Sequence, residues 1–342
     1  MRIAIVTDAW YPQVNGVVTT LSSVGKSLEQ QGHKAFYVSP EHFKTVPCPT
    51  YRSIRLALTP ARKLSAMLDA FRPEAVHIAT EGPLGLAGRR YCVARGLRFT
   101  TSYHTQFPQY VRMRAPIPLS WTYAYMRWFH SGAARTMVPT ESQRNELRRW
   151  GFNNLVIWTR GVDTELFRPQ PKEWLVAERP VAMYVGRVAV EKNIEAFLGL
   201  ELPGSKFVVG DGPDLQALSA KYPDAHFVGF KFGEELSRYM AAADVFVFPS
   251  RTDTFGIVLL DAMASGVPVA AYPVTGPKDV VVHGVTGILN EDLGQAIHDA
   301  LRLDPARSRE YALNCSWEVS AGQFFSHLEP NAGLPASAAA SQ

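Results

Sequence analysis

The 342-residue chain is 46% hydrophobic and 19% charged, the balance of a folded globular protein, which excludes a disordered one. It is too long for one ordinary core, so two domains of about 150 residues are expected, and no uninterrupted apolar run of about 18 residues offers a spanning helix. Its net charge of +4 hides an asymmetry, with +12 on residues 1–150 and −8 on residues 151–342. The basic half either seeks an anionic partner, such as a phospholipid surface or nucleic acid, or is a solvated surface of different composition. The opening MRIAIVTDAWYP lacks an apolar signal region and reads as a buried strand. Cys48, Cys92 and Cys315 stand at unrelated spacings, which suits reduced thiols and a cytoplasmic location.

In chain order, apolar runs predict strands at 3–7, 35–39, 75–78, 99–102, 136–138 and 155–158, then at 181–185, 206–209, 226–228, 245–248, 267–271 and 287–289. Most are continuous rather than alternating, as in parallel sheets covered on both faces. Helical patterns separate them, among them TESQRNELRRWG, with Thr140 as N-cap and Gly151 as stop. Strand–helix alternation twice over predicts an α/β chain of two doubly wound domains, with ligands at the carboxyl ends of the strands. The polar, proline-bearing stretch 160–174 marks the boundary. The expected division is 1–164, 165–318, a last helix over 319–330 and a disordered tail over 331–342.

Four strand ends carry chemistry. Gly16, in DAWYPQVNGVVTTL, lets the backbone approach a ligand at a helix N-terminus, although any α/β turn needs glycine. No G-x-G-x-x-G dinucleotide fingerprint occurs in the chain. In YVGRVAVEKN, Arg187 and Lys192 either converge on a diphosphate or are surface charges with an internal partner such as Glu191. In SRTDTFGIVLLDAMASGVP, a helix is expected from Phe255 with Asp253 or Thr254 near its cap. Eight residues at 1.5 Å rise would set Asp253 and Asp261 about 12 Å apart, the reach from a donor sugar past its diphosphate to the ribose. The plain alternative is a capping aspartate and a solvated one. His104, in SYHTQF, faces the active side of its sheet or is held by loop backbone. No His, Cys or Asp cluster has metal-ligand spacing, and no D-x-D occurs.

Together these stretches resemble the retaining glycosyltransferases of family 4 across about residues 1–328. The family's E-x7-E slot is filled by Asp253-x7-Asp261, its G-R-x-x-x-x-K phosphate site by GRVAVEK, and further blocks by VVGDGPDLQAL, RGVDTELF and SYHT. The resemblance implies the GT-B fold, two Rossmann-like domains facing across a cleft, and retention of anomeric configuration without a metal or cofactor. It implies that Arg187 and Lys192 bind the donor diphosphate while Gly16 lets the first loop close over it. Asp253 and His104 would contact the transferred sugar, and Asp261 the ribose hydroxyls. The main chain of Phe255, Gly256, Ile257 and Val258 would lie against sugar and phosphate. Aspartate in place of glutamate at both signature positions shortens each side chain by one methylene and leaves the donor open.

The acceptor belongs to the N-terminal domain, where 110–137 mixes Arg112, Arg114 and Arg127 with Trp121 and Trp128. That mixture suits an interfacial helix on an anionic membrane, or a core helix beside the cleft. Similarity to sulfoquinovosyl- and glucosyl-diacylglycerol synthases points to hexose transfer from a UDP-sugar to a membrane lipid such as diacylglycerol. The implied location is peripheral, on the inner face of the cytoplasmic membrane. The alternative within the family is a GDP-mannose-dependent alpha-mannosyltransferase acting on a saccharide or glycolipid. Outside it stand a sugar-nucleotide epimerase and a catalytically silent membrane-binding relative. No nucleic-acid motif accompanies the basic charge, so no nucleic-acid partner is expected.

Overall fold

The computed structural model describes residues 1–13, 15–48 and 51–331. The chain forms two compact units, Met1–Thr159 with Trp317–Gln342, and Arg160–Ser316. Both crossings fall a few residues earlier than the 164/165 and 318/319 expected. The stretch after Arg160 already bonds within the second unit, where Val162 N–H donates to Cys315 O at 2.9 Å.

In the first unit the strands are β1 (Arg2–Val6), β2 (Lys34–Val38), β3 (Thr45–Cys48), β4 (Tyr51–Ala57), β5 (Ala75–Ile78), β6 (Thr100–Ser102), β7 (Arg135–Val138) and β8 (Leu155–Ile157). Six of them make a parallel sheet in the order β2-β1-β5-β6-β7-β8, while β3 and β4 pair antiparallel as a separate hairpin. That hairpin was not expected, because Pro47 interrupts its first strand. β1 and β5 are buried almost end to end, which is what a sheet covered on both faces requires. Helices follow the strands with local caps. Asn15 Oδ1 accepts from Val17 and Val18 N–H at the head of the Gly16–Gln30 helix, and Thr140 Oγ1 from Gln143 N–H at 3.2 Å. The helix Trp317–His327 closes this unit, with Trp158 Nε1 donating to Ser320 O at 3.1 Å and Phe325 stacked on His33 at 4.3 Å. Asn331 bonds to Glu74 and Arg98, and the rest of the expected tail, 332–342, lies outside the described residues.

The second unit adds β9 (Val181–Val185), β10 (Ser205–Val209), β11 (His226–Gly229), β12 (Val245–Phe248), β13 (Val269–Ala271) and β14 (Gly287–Leu289). All are parallel, in the order β11-β10-β9-β12-β13-β14. This is the 3-2-1-4-5-6 arrangement of a doubly wound nucleotide-binding fold, with its topological switch between β9 and β12. Alternation along the strands divides the core into two layers. Met183, Val185, Phe246 and Phe248 pack on one face; Ala182, Tyr184, Val245 and Val247 pack on the other. In the first unit the chain likewise reverses direction between β1 and β5.

Candidate functional site

The loops that leave β9 and β12 meet at the switch of the second unit, where such sheets bind ligands. After β9 the chain makes a 3-10 turn, Val190–Lys192, which side chains bind to the β12 loop. Asn193 Nδ2 donates to Pro249 O at 3.0 Å, and Ser250 and Thr252 hydroxyls donate to Glu191 O at 3.3 and 3.2 Å. The β10 loop packs beneath. A Cβ on Gly210, whose φ is +151°, would lie 1.8 Å from Gly186 O, so only glycine permits this approach. The Tyr184 phenol, its pKa driven up by burial, stays a donor and holds Arg187 O at 2.8 Å.

On this frame Lys192 Nζ lies 2.6 and 2.8 Å from the two carboxylate oxygens of Asp253. Both side chains are largely withdrawn from solvent, at 18% and 16% exposure, so the pair is screened less than a surface ion pair. Arg187 lies 3.5 Å from Glu191 Oε1, and the Glu191 side chain is buried. The sequence alternative, an internal partner for Arg187, is therefore present. The helix begins at Ile257, not Phe255, and Asp253 is not its cap. Gly256 occupies that position with φ +82°, a left-handed turn that favours glycine and interrupts any helix running back to Asp253. The helical ruler of eight residues thus fails: only Ile257 to Asp261 is helical, about 6 Å of rise. Gly256 at the cap position has no side chain of its own to bond the first amides and no acidic residue occupies the first turn, an arrangement suited to an anion.

Asp261 lies in the middle of the Ile257–Ala264 helix. Burial, and then the neighbouring Asp163 carboxylate, push its carboxyl up to about 8. Asp163 was not singled out from the sequence: it is remote in the chain, and no local signal connects the two. Arg187, Lys192, Asp253, Phe255, Gly256, Ile257, Val258 and Asp261 therefore stand on the loops and helix at the carboxyl edge of the second sheet.

Gly16 and His104 belong to the first unit. Gly16 opens the helix after β1, with Asn15 already satisfying the next two amides, and His104 follows β6 with its ring 5.6 Å from that of Trp158. In the same unit the helices Phe107–Arg114 and Leu119–Ser131 carry the basic and aromatic residues. Trp121 is 72% exposed and Trp128 48%, with Phe107, Met113 and Ile117 also exposed. Arg89 lies 4.3 Å from the Trp128 ring, and Arg127 donates to Trp150 O. The opposite face of the second helix buries Tyr123, Met126, Phe129 and His130, so this segment is both core helix and exposed aromatic surface.

Residues 14–166 match the family model Glycosyltransferase Family 4, and residues 179–303 match Glycosyl transferases group 1. The chain is 30% identical to a GDP-mannose-dependent alpha-mannosyltransferase of Mycobacterium tuberculosis, with 96% of each chain covered. It belongs to glycosyltransferase family 4. This family 4 glycosyltransferase is also 29% identical to an alpha-monoglucosyldiacylglycerol synthase of Streptococcus pneumoniae, covering 95% of this chain and 83% of that one. Among solved structures, sucrose-phosphate synthase from Thermosynechococcus elongatus superposes with a TM-score of 0.78 at 23% identity, over 95% and 97% of the two chains. The two Rossmann-like units make the fold GT-B, and a nucleotide sugar is the donor. Among the described residues no helix is long and apolar enough to cross a membrane.

Proposed function

We propose that this glycosyltransferase moves a hexose from a nucleotide sugar to a hydroxyl of a membrane lipid, with retention and without a metal. Arg187, Lys192 and the first amides of the Ile257–Ala264 helix would take the charge of the departing diphosphate, the largest electrostatic demand of the reaction. Asp253 and His104 would hold the sugar, Asp261 the ribose, and the main chain of Phe255 to Val258 the sugar and phosphate, with Gly16 at the closing loop. The leaving phosphate would accept the acceptor's proton on the face it departs from.

The observation that carries a lipid acceptor is the exposed aromatic and basic surface of 107–131, on the half of the chain that carries +12. Trp121 would enter the interface while Arg112, Arg114 and Arg127 face anionic headgroups, each worth about 1 kcal/mol near the surface. The lipid-glycosylating relative supports transfer of a glucosyl group to diacylglycerol. The mannosyltransferase relative, matched over 96% of its length, supports GDP-mannose as the second reading.

The test supplies UDP-glucose or GDP-mannose with anionic vesicles containing diacylglycerol and a chelator. One donor should yield an alpha-linked glycolipid, identified by its anomeric proton coupling. No glycolipid from either donor would overturn the lipid reading. The double variant Trp121→Ser, Arg112→Ser should lower partition onto phosphatidylglycerol vesicles about tenfold or more, measured by co-sedimentation. Unchanged partition would remove this surface from the membrane.

A further inference from the structure

The first unit has a second carboxylate site, at the carboxyl edge where β1 and β5 lie side by side and the chain reverses direction. Two acidic side chains occupy it, and they are held for different purposes. Asp8, just past β1, is consumed by the fold: it accepts from Leu84 N–H at 2.8 Å, Gly85 N–H at 3.2 Å and the Thr80 hydroxyl at 2.9 Å, capping the Pro83–Ala94 helix. Glu81, just past β5, caps nothing. Its side chain is 18% exposed, and its Oε1 lies 3.2 Å from Nε2 of His130, which is fully buried.

That imidazole is fixed on every side. Nδ1 lies 2.9 Å from Thr101 Oγ1, which in turn lies 3.0 Å from Thr136 Oγ1. The rings of Phe129, Phe152 and Tyr103 surround it, with centroids 5.1, 5.9 and 6.1 Å away. A carboxylate can only accept, so Nε2 carries a proton toward Glu81, while the Thr101 hydroxyl, itself bonded to Thr136, holds the ring through Nδ1. The backbone of Glu81 is fixed separately, by the Tyr125 hydroxyl donating to its carbonyl at 2.7 Å. Main chain and carboxylate are thus both held, by residues of the one helix, Leu119–Ser131, whose outer face presents Trp121 and Trp128.

Stability does not explain the arrangement. A buried imidazole and a partly buried carboxylate cost desolvation that apolar residues of the same volume would avoid. A ligand does explain it: a carboxylate fixed at a sheet's carboxyl edge, with solvent access, is a ready acceptor for hydroxyl protons and repels phosphate. We propose that Glu81, positioned by His130, binds an alcohol group of the acceptor and selects a neutral hydroxyl-bearing head over an anionic one. This rests on the reading that the first unit receives the acceptor. His130 is a positioning residue; Glu81 makes the contact.

The test measures nucleotide release from UDP-glucose and from GDP-mannose, with dioleoylglycerol in vesicles or methyl alpha-D-mannoside as the alcohol. Glu81→Gln should raise KM for the alcohol about tenfold to a hundredfold more than it raises KM for the donor, the value of one charge-assisted hydrogen bond. Thr101→Val, which removes the hydroxyl that orients His130, should move the same ratio in the same direction by less. Glu81→Asp carries the same test if Glu81→Gln does not fold, as judged by its melting curve. Equal changes in both KM values, or none, would overturn the assignment while the wild type still responds to an alcohol. If neither alcohol accelerates nucleotide release by the wild type, the acceptor reading itself fails and this assignment with it.

Discussion

Lys192→Ala is expected to weaken UDP or GDP binding by about tenfold to a hundredfold and to lower transfer by at least as much. The ammonium lies between two demands: Asp253 grips it with both carboxylate oxygens, and the proposed donor diphosphate needs it when bound. Losing one charge-assisted contact of about 1.5–3 kcal/mol accounts for the fall in affinity. The partner residue gives the sharper result. Asp253→Asn frees the ammonium from a competing anion, so nucleotide affinity should hold or rise, while transfer falls because the sugar has lost its carboxylate. If Asp253 served only to neutralise Lys192, the amide variant would keep its transfer rate. Titration calorimetry with UDP and GDP beside a rate measurement separates these outcomes. Unchanged nucleotide affinity in Lys192→Ala would remove Lys192 from the diphosphate.

The pairing also bears on why aspartate stands at the first signature position. The short side chain meets Lys192 at 2.6 Å from across the β9 and β12 loops, and both loops are already bound together through Glu191 O. A longer side chain at Asp253 would have to fold back to make the same contact.

How much of this was legible in the sequence depended on how local each cause was. The central sheet strands announce themselves because both faces are buried, so β9 and β12 read as unbroken apolar runs, VAMYV and VFVF. The β3–β4 hairpin has no such run: Pro47 and exposed positions in TVPC mask it. The placement of Arg187, Lys192, Asp253 and Asp261 on the segments after β9 and β12 was legible because family spacing reports loop geometry after particular strands. The true helix start was not, since FGIVLLD reads as helical throughout and only the left-handed φ of Gly256 shows otherwise. Asp163 beside Asp261, and Glu81 on His130, join residues far apart in the chain, and only the fold brings them together.

Asp261→Asn should give the largest change in pH behaviour. Burial raises the folded-state pKa of Asp261 from its ordinary 3.8 to about 8. Between those values the folded chain binds a proton that the unfolded chain has lost, so stability from this group is complete below about pH 4 and is lost as pH rises through about 8. The amide has no charge to bury. Its melting temperature should therefore exceed that of the wild type at pH 9 by several degrees, and the two should converge toward pH 5. Ribose binding adds a second signature. Hydroxyls donating to Asp261 favour its carboxylate form, so nucleotide binding near pH 7 should expel most of one proton in the wild type. Calorimetry in two buffers of different ionisation enthalpy reads that proton, and the difference from Asp261→Asn isolates this side chain from the phosphates of the nucleotide. Identical proton release by wild type and variant would place the ribose elsewhere, while a melting-temperature difference that persisted would still report the buried carboxyl.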